Sequence, residues 1–204
     1  MRRAFLILAC LAASALLPGQ EAPRRLETLL LLPEPRALRG PLSVSPAGAR
    51  QTVLTPARET AKGIETYPQE DFRLLGLSVE TFAKRAATAA DRRLAALKPD
   101  IIRDAQGRVL YAVYRGEQPL YASLLVAPSL PKVFEAMFGP EIWVALPDRH
   151  ALYVFPAQSA ALQEFTEDLA ERFAADPFAA SPEIFSIKPG QPPRVVAAFA
   201  GGSE

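Results

Sequence analysis

Glu141–Phe155 reads EIWVALPDRHALYVF, in which two apolar runs flank a short polar turn. The first run is Glu141–Leu146 and the second is Ala151–Phe155, and both contain the β-branched and aromatic residues that are enriched in strands. Between them, Pro147–His150 has the composition of a turn. The stretch therefore predicts a β-hairpin with an acid, a guanidinium and an imidazole at its tip.

Further strand patterns lie on both sides of this hairpin. Upstream, three apolar segments separated by polar turns predict a meander: Asp100–Arg103, Val109–Tyr114 and Leu120–Val126. Downstream, Ile184–Ile187 and Arg194–Phe199 can pair across a turn rich in proline and glycine. Together these segments predict a mostly antiparallel sheet, built from a meander and hairpins.

Three longer helices are predicted between the strands. In Val79–Leu97, apolar residues recur every three or four positions, and Ser78 is the expected N-cap. Ser129–Phe138 precedes a glycine, which commonly ends helices. The third helix begins after Ser159, and one of its faces carries Leu162, Phe165, Leu169 and Phe173. Hairpins interrupted by helices indicate the α+β class, with about three helices packed on one face of the sheet.

The domain organisation follows from the distribution of proline. Residues 67–200 are predicted to form a single α+β domain, and residues 201–204 a frayed tail. Residues 16–66 are interrupted by many prolines and glycines, so we expect a proline-rich arm or linker there. Within this arm, Leu26–Leu32 and Gln51–Thr55 are the two segments with strand character.

The first residues have the three-part organisation of a secretory signal. Arg2 and Arg3 are positive, Ala4–Leu17 is apolar and uncharged, and Ala13-Ser14-Ala15 fits a cleavage site with small residues. The apolar run is shorter than the ~20 residues of a membrane-spanning helix. We therefore expect a signal peptide over residues 1–15, and a protein exported to the periplasm or secreted.

Several features of the export signal leave alternatives open. The sequence is compatible with cleavage after Ala15 and with cleavage as late as Gly19. A lipid anchor at Cys10 and an uncleaved N-terminal anchor are alternatives to a released protein. The paired arginines suit both the general secretory and the twin-arginine route. After processing, no stable membrane span is expected.

Composition argues against several classes of function. The net charge of +1 comes without a concentrated basic segment, which gives no support to nucleic-acid binding. Cys10 is the only cysteine and His150 the only histidine, so neither a thiol site nor a cysteine-based metal site is expected. No phosphate-binding glycine loop is present, and we predict no cofactor. The acidic helical face with Glu164, Asp168 and Glu171 is interpreted as solvated surface, not a metal site.

The stretch from about Phe72 to Phe185 resembles the YtpQ-like family, a bacterial domain-of-unknown-function family. Three segments carry the resemblance: Asp71–Ser78 leading into an alanine-rich helix, Tyr121–Leu125, and Trp143–Leu152 followed by a helix and Phe178–Phe185. Members typically have Asn where this chain has Arg93, and Arg-Asp where it has Arg149-His150. The resemblance implies a fold more than a function, because the family has no settled activity.

Asp148, Arg149 and His150 are the candidate binding surface, since an acid, a guanidinium and an imidazole on one turn can hold a polar or anionic ligand. No catalytic residue is assigned, because the nearest approach to a nucleophile motif, around Ser78, lacks its closing glycine. We therefore expect a non-catalytic binding module of the cell envelope, whose partner is an envelope protein or polymer. The alternative is a carboxylate-dependent hydrolase with a polar site near residues 147–150. Convergence of polar groups from separate segments in one pocket would favour the hydrolase.

Overall fold

The computed structural model describes residues 29–199. The predicted signal peptide, its cleavage region, Cys10 and the tail at 201–204 lie outside the described residues, as do residues 16–28 of the predicted arm. Within residues 29–199, no helix is both long enough and apolar enough to cross a membrane.

Residues 29–66 form a three-stranded antiparallel sheet, which differs from the expected arm or linker. Its strands are β1 (Leu29–Pro35), β2 (Thr52–Thr60) and β3 (Gly63–Thr66), in that spatial order. Pro33 and Pro35 lie in β1, an edge strand, where the missing N–H of proline costs little. The two prolines of β1 therefore lie at a sheet edge, and the expectation of a loose arm was wrong for residues 29–66.

The N-terminal sheet is packed against the rest of the chain. Leu29 and Leu31 of β1 belong to the main hydrophobic core, while Leu30 and Leu32 pack with Ala57 of β2. Hydrogen bonds reach the C-terminal part of the chain, where the Val195 N–H donates to the Ala47 carbonyl at 2.8 Å. Residues 29–66 are therefore an integral part of the fold.

A six-stranded antiparallel sheet forms the centre of the molecule. Its strands are β4 (Asp100–Arg103), β5 (Val109–Arg115), β6 (Ile142–Ala145), β7 (Ala151–Pro156), β8 (Glu183–Ile187) and β9 (Arg194–Ala198). Their spatial order is β4-β5-β7-β6-β8-β9. The predicted hairpin around Pro147–His150 is confirmed, with Val144 opposite Val154. The antiparallel sheet and the α+β class are confirmed as well.

One predicted strand is a helix. Leu120–Val126, expected as the third strand of the meander, contains instead a 3-10 helix at Tyr121–Val126. A continuous apolar run is compatible with either a buried strand or a buried helix, because periodicity alone does not distinguish the two. β7 takes the place beside β5.

Helices cover both faces of the central sheet. On one face lie α1 (Gln69–Arg73), α2 (Val79–Ala95) and α3 (Leu130–Phe138), which bury Phe72, Phe82 and Phe134 in the main core. Ser78 caps α2 as predicted, because its Oγ accepts the Thr81 N–H at 3.2 Å.

The opposite face is covered by α4 (Ala160–Glu164) and α5 (Thr166–Ala175). Their Leu162 and Leu169 join a second cluster with Tyr153 and Phe155 of β7. The predicted third helix is therefore two short helices separated at Phe165, and it lies on the other face from α2. Since alternate residues of β5–β7 are apolar on both faces, both faces need a cover.

Candidate ligand-binding site

Two other segments pack against the turn at 147–150 and bury Pro147 and Asp148, while Arg149 and His150 are partly exposed. Asp148 is only 5% exposed. On one side the Arg149 N–H donates to the Phe178 carbonyl at 3.0 Å, and on the other the Arg149 carbonyl accepts the Tyr121 N–H at 2.9 Å. These partners are 28 or more residues away in the chain, and local turn composition carries no information about them.

Asp148 organises the turn and faces a polar depression. Its Oδ1 accepts the His150 backbone N–H at 2.7 Å. Burial raises the pKa of the Asp148 carboxyl, and the nearby Asp176 carboxylate raises it further, although hydrogen bonds from the backbone oppose the shift. Asp148 therefore retains a proton more readily than an exposed aspartate.

Arg149 does not join Asp148 and His150, in contrast to the prediction. Its guanidinium Nη2 donates to Glu34 Oε1 of β1 at 2.6 Å, and the two side chains are only 13% and 5% exposed. This buried ion pair attaches the N-terminal sheet to the turn. Arg149 thus has a structural contact in place of the ligand contact expected of it.

His150 is held loosely by comparison. Its Nδ1 lies 3.3 Å from the Gly116 carbonyl oxygen, and its ring meets the ring of Phe178 edge-on, with centroids 5.7 Å apart. A Cβ on Gly116 would lie 2.9 Å from ring carbons of Tyr121, so a larger residue at this position would require the Tyr121 ring to move.

Asp148 and His150 line one depression with residues from four other places in the chain. This polar cleft has a volume of about 580 Å³. Its lining consists of Asp100, Arg115, Gly116, Glu117, Asp148, His150, Ala151, Tyr153, Arg172 and Asp176. It lies where β5 ends and β7 begins, next to the last turn of α5. Polar groups from separate segments therefore converge in one pocket.

The charged groups of the polar cleft are only partly paired. Arg115 Nε lies 3.1 Å from Asp100 Oδ2, in a pair whose side chains are mostly exposed. Arg172 forms no ion pair within residues 29–199 and is exposed at the rim. Tyr153 is 5% exposed, and burial raises the pKa of its phenol.

Sequence reasoning identified two of these residues and missed the others. Tyr153, Arg172 and Asp176 come from a strand, a helix and a helix end, and no local motif connects them. Only Tyr153 could have been inferred from the sequence, because it lies in the predicted strand that directly follows the turn. The buried acid Glu183 does not line the polar cleft: its Oε1 accepts the backbone N–H groups of Arg50 at 2.7 Å and Gln51 at 3.1 Å.

Across residues 29–199, no three His, Cys, Asp or Glu side chains come close enough to hold a metal ion. The acidic residues of the polar cleft are instead interspersed with the guanidinium groups of Arg115 and Arg172.

Comparison with known proteins gives no relative: no family model matches the chain, and neither do curated proteins or solved structures. The resemblance to the YtpQ-like family therefore stays a prediction. What the fold and the site define is an α+β domain with a polar cleft of mixed charge.

Proposed function

We propose that this protein is an exported, non-catalytic binding domain that holds a saccharide segment of an envelope polymer in the polar cleft. The observation that carries the proposal is the mixed charge of this lining, in which four carboxyl groups lie beside two guanidinium groups, an imidazole and a phenol. These groups come from β4, β5, β7 and α5, and from the loops beside them.

The mixed lining selects for a ligand that both donates and accepts hydrogen bonds. A simple anion would meet the carboxylates of Asp100, Glu117 and Asp176, and a simple cation would meet Arg115 and Arg172. A sugar hydroxyl avoids both repulsions, because it donates to a carboxylate and accepts from a guanidinium. Charge-assisted hydrogen bonds of this kind are stronger than those between neutral groups.

Export supports the choice of an envelope polymer. The predicted signal peptide over residues 1–15 would deliver the domain to the compartment that contains cell-wall glycans. Those glycans carry hydroxyl, amide and carboxyl groups at short intervals, which is the mixture that the polar cleft can bind.

Co-sedimentation with purified peptidoglycan sacculi tests the proposal. We expect the wild-type protein to pellet with sacculi. Arg172→Gln should lose about tenfold in affinity, because it removes the charge of a guanidinium group that forms no ion pair within residues 29–199. Arg73→Gln is the matched control, since Arg73 is 72% exposed on α1 and does not line the polar cleft. Equal binding by Arg172→Gln and wild type, or no pelleting by wild type, would contradict the proposal.

A second candidate is carboxylate-dependent hydrolysis at the same cleft. It is favoured by the convergence of polar groups from separate segments in one pocket and by the position of Asp148 near Asp176. Burial raises the pKa of the Asp148 carboxyl, which is the direction that a general acid requires. Release of reducing ends from sacculi measures this activity. If wild type releases them and Asp148→Asn does not, the protein is a hydrolase; if neither does, the binding function stands alone.

A further inference from the structure

A second depression, on the opposite face of the central sheet, has a different lining. This apolar groove has a volume of about 610 Å³, in the range of pockets that bury small molecules, about 300–1,000 Å³. It lies between α2, the 125–128 segment that ends the 3-10 helix, the loop at 44–47 and the turn at 190–193. Its apolar walls include Leu31, Val44, Leu54, Leu125 and Ile187.

The walls of the apolar groove offer few hydrogen bonds. Four of the lining residues are prolines without an N–H: Pro46, Pro128, Pro192 and Pro193. Other lining N–H groups already have partners, since Val44 and Leu54 donate to each other's carbonyls, and Ala127 donates to Leu124. A bound peptide would therefore lose hydrogen bonds between its backbone and water and would gain few in the groove, which costs binding free energy. An aliphatic chain has no such requirement.

One charged side chain, Lys84, lines the apolar groove. It is exposed on α2, beside the short side chains of Ala83 and Ala87 that leave the groove open along this helix. Its acidic neighbour is the exposed Glu80, one helical turn earlier, whose carboxylate it attracts. A ligand carboxylate at the rim can reach the same ammonium group.

We infer that the apolar groove binds a free long-chain fatty acid, with its chain along the prolines and leucines and its carboxylate at Lys84. Charge complementarity selects the carboxylate head, and the scarcity of hydrogen-bond partners selects an alkyl chain over a peptide. This site is separate from the polar cleft and does not depend on the function proposed there.

Titration of the full chain with hexadecanoate, followed by calorimetry, tests the inference. We expect saturable binding of one molecule, and shortening the chain by two carbons should weaken it roughly tenfold because two methylenes lose their burial. Lys84→Glu should weaken hexadecanoate binding at least tenfold, and hexadecanol should bind wild type and variant alike. The matched control is Arg85→Glu, which makes the same charge change at an exposed position outside the groove.

A groove-filling variant gives independent evidence. Ala87→Phe should abolish hexadecanoate binding, whereas Ala95→Phe, at an exposed position of the same helix, should leave it unchanged. Circular dichroism tests whether each variant is folded. If Ala87→Phe does not fold, the Lys84→Glu and chain-length results decide whether the groove binds a fatty acid. Equal losses in Lys84→Glu and Arg85→Glu, no dependence on chain length, or tighter binding of a proline-rich peptide than of hexadecanoate would overturn the inference.

Discussion

The polar cleft and the apolar groove have nearly the same volume, about 580 and 610 Å³, but opposite linings. The polar cleft lies at the ends of β5 and β7, where strands give way to turns and charged residues are tolerated. The apolar groove lies over the main core, and residues 31–54 of the N-terminal segment supply part of its wall. Removing that segment would open the groove, whereas every residue that lines the cleft comes from position 100 onward.

The comparison shows that location in the fold, more than size, decides what each depression can bind. Polar side chains at strand ends can donate or accept hydrogen bonds beyond those of the backbone ladder. Residues over a core have little such capacity. The Glu34–Arg149 pair is the direct connection between the N-terminal sheet and the turn of the polar cleft.

The largest expected effect concerns that connection. Arg149→Ala leaves the Glu34 carboxylate buried without its partner, which typically costs about 3–5 kcal/mol of unfolding free energy. Urea denaturation of wild type and Arg149→Ala measures this loss of unfolding free energy. A loss below about 1 kcal/mol would mean that the two regions are not energetically joined through this pair.

A smaller effect is expected at Glu183, which holds the loop beside the apolar groove. Glu183→Ala removes the acceptor of the Arg50 and Gln51 N–H groups and should cost about 1.5–3 kcal/mol. It should also weaken hexadecanoate binding, while sacculus binding is retained. Glu183→Gln keeps an oxygen acceptor and should restore most of the stability. Equal effects of the two substitutions on denaturation would argue against this role.

The stability of Asp148→Asn should differ from wild type in its pH dependence. Burial raises the pKa of Asp148 in the folded state above its unfolded value of about 3.9. At pH values between these two pKa values, the folded state therefore binds more protons than the unfolded state. Wild-type stability therefore declines as pH rises through that window, and the penalty stays constant above it. Asparagine does not ionise, and its Oδ1 can still accept the His150 N–H.

Thermal melts from pH 3 to pH 7 measure this difference. Asp148→Asn should match wild type near pH 3 and be equal or more stable at pH 7. If the variant is instead less stable at pH 7 and equal at pH 3, the charged carboxylate stabilises the fold and the assignment of the raised pKa is wrong.

The smallest effect on stability is expected at His150. Its single side-chain hydrogen bond is long, at 3.3 Å, and its edge contact is with Phe178, which is 45% exposed. His150→Ala should therefore change the unfolding free energy by no more than about 0.5 kcal/mol. A loss comparable to that of Arg149→Ala would show that the imidazole is a structural group and not a free wall of the polar cleft.

Local patterns predicted the elements whose signals are local. The β6–β7 hairpin, α2 with its Ser78 cap and the β8–β9 pair all follow from periodicity and capping. The sheet of residues 29–66 was missed, because prolines in an edge strand look the same in sequence as prolines in a linker. The segment at 121–126 was misassigned because a continuous apolar run fits both a strand and a helix.

The candidate site was predictable only in part. Asp148 and His150 were chosen for their chemistry, and both line the polar cleft. Arg149 has the same local context but pairs with Glu34, 115 residues away. Contacts between residues so far apart in the chain decide whether a side chain of the turn faces the cleft or the N-terminal sheet. Local sequence patterns carry no information about such contacts.

The proposed function requires that the polar cleft, and not the apolar groove, binds the envelope glycan. Amide NMR of the ¹⁵N-labelled protein, titrated with soluble glycan fragments released from peptidoglycan, tests it most directly. We expect saturable shifts at residues 115–117, 148–153 and 172–176, with none at 44–47 or 125–128. Shifts confined to the apolar groove, or no shifts at all, would contradict it.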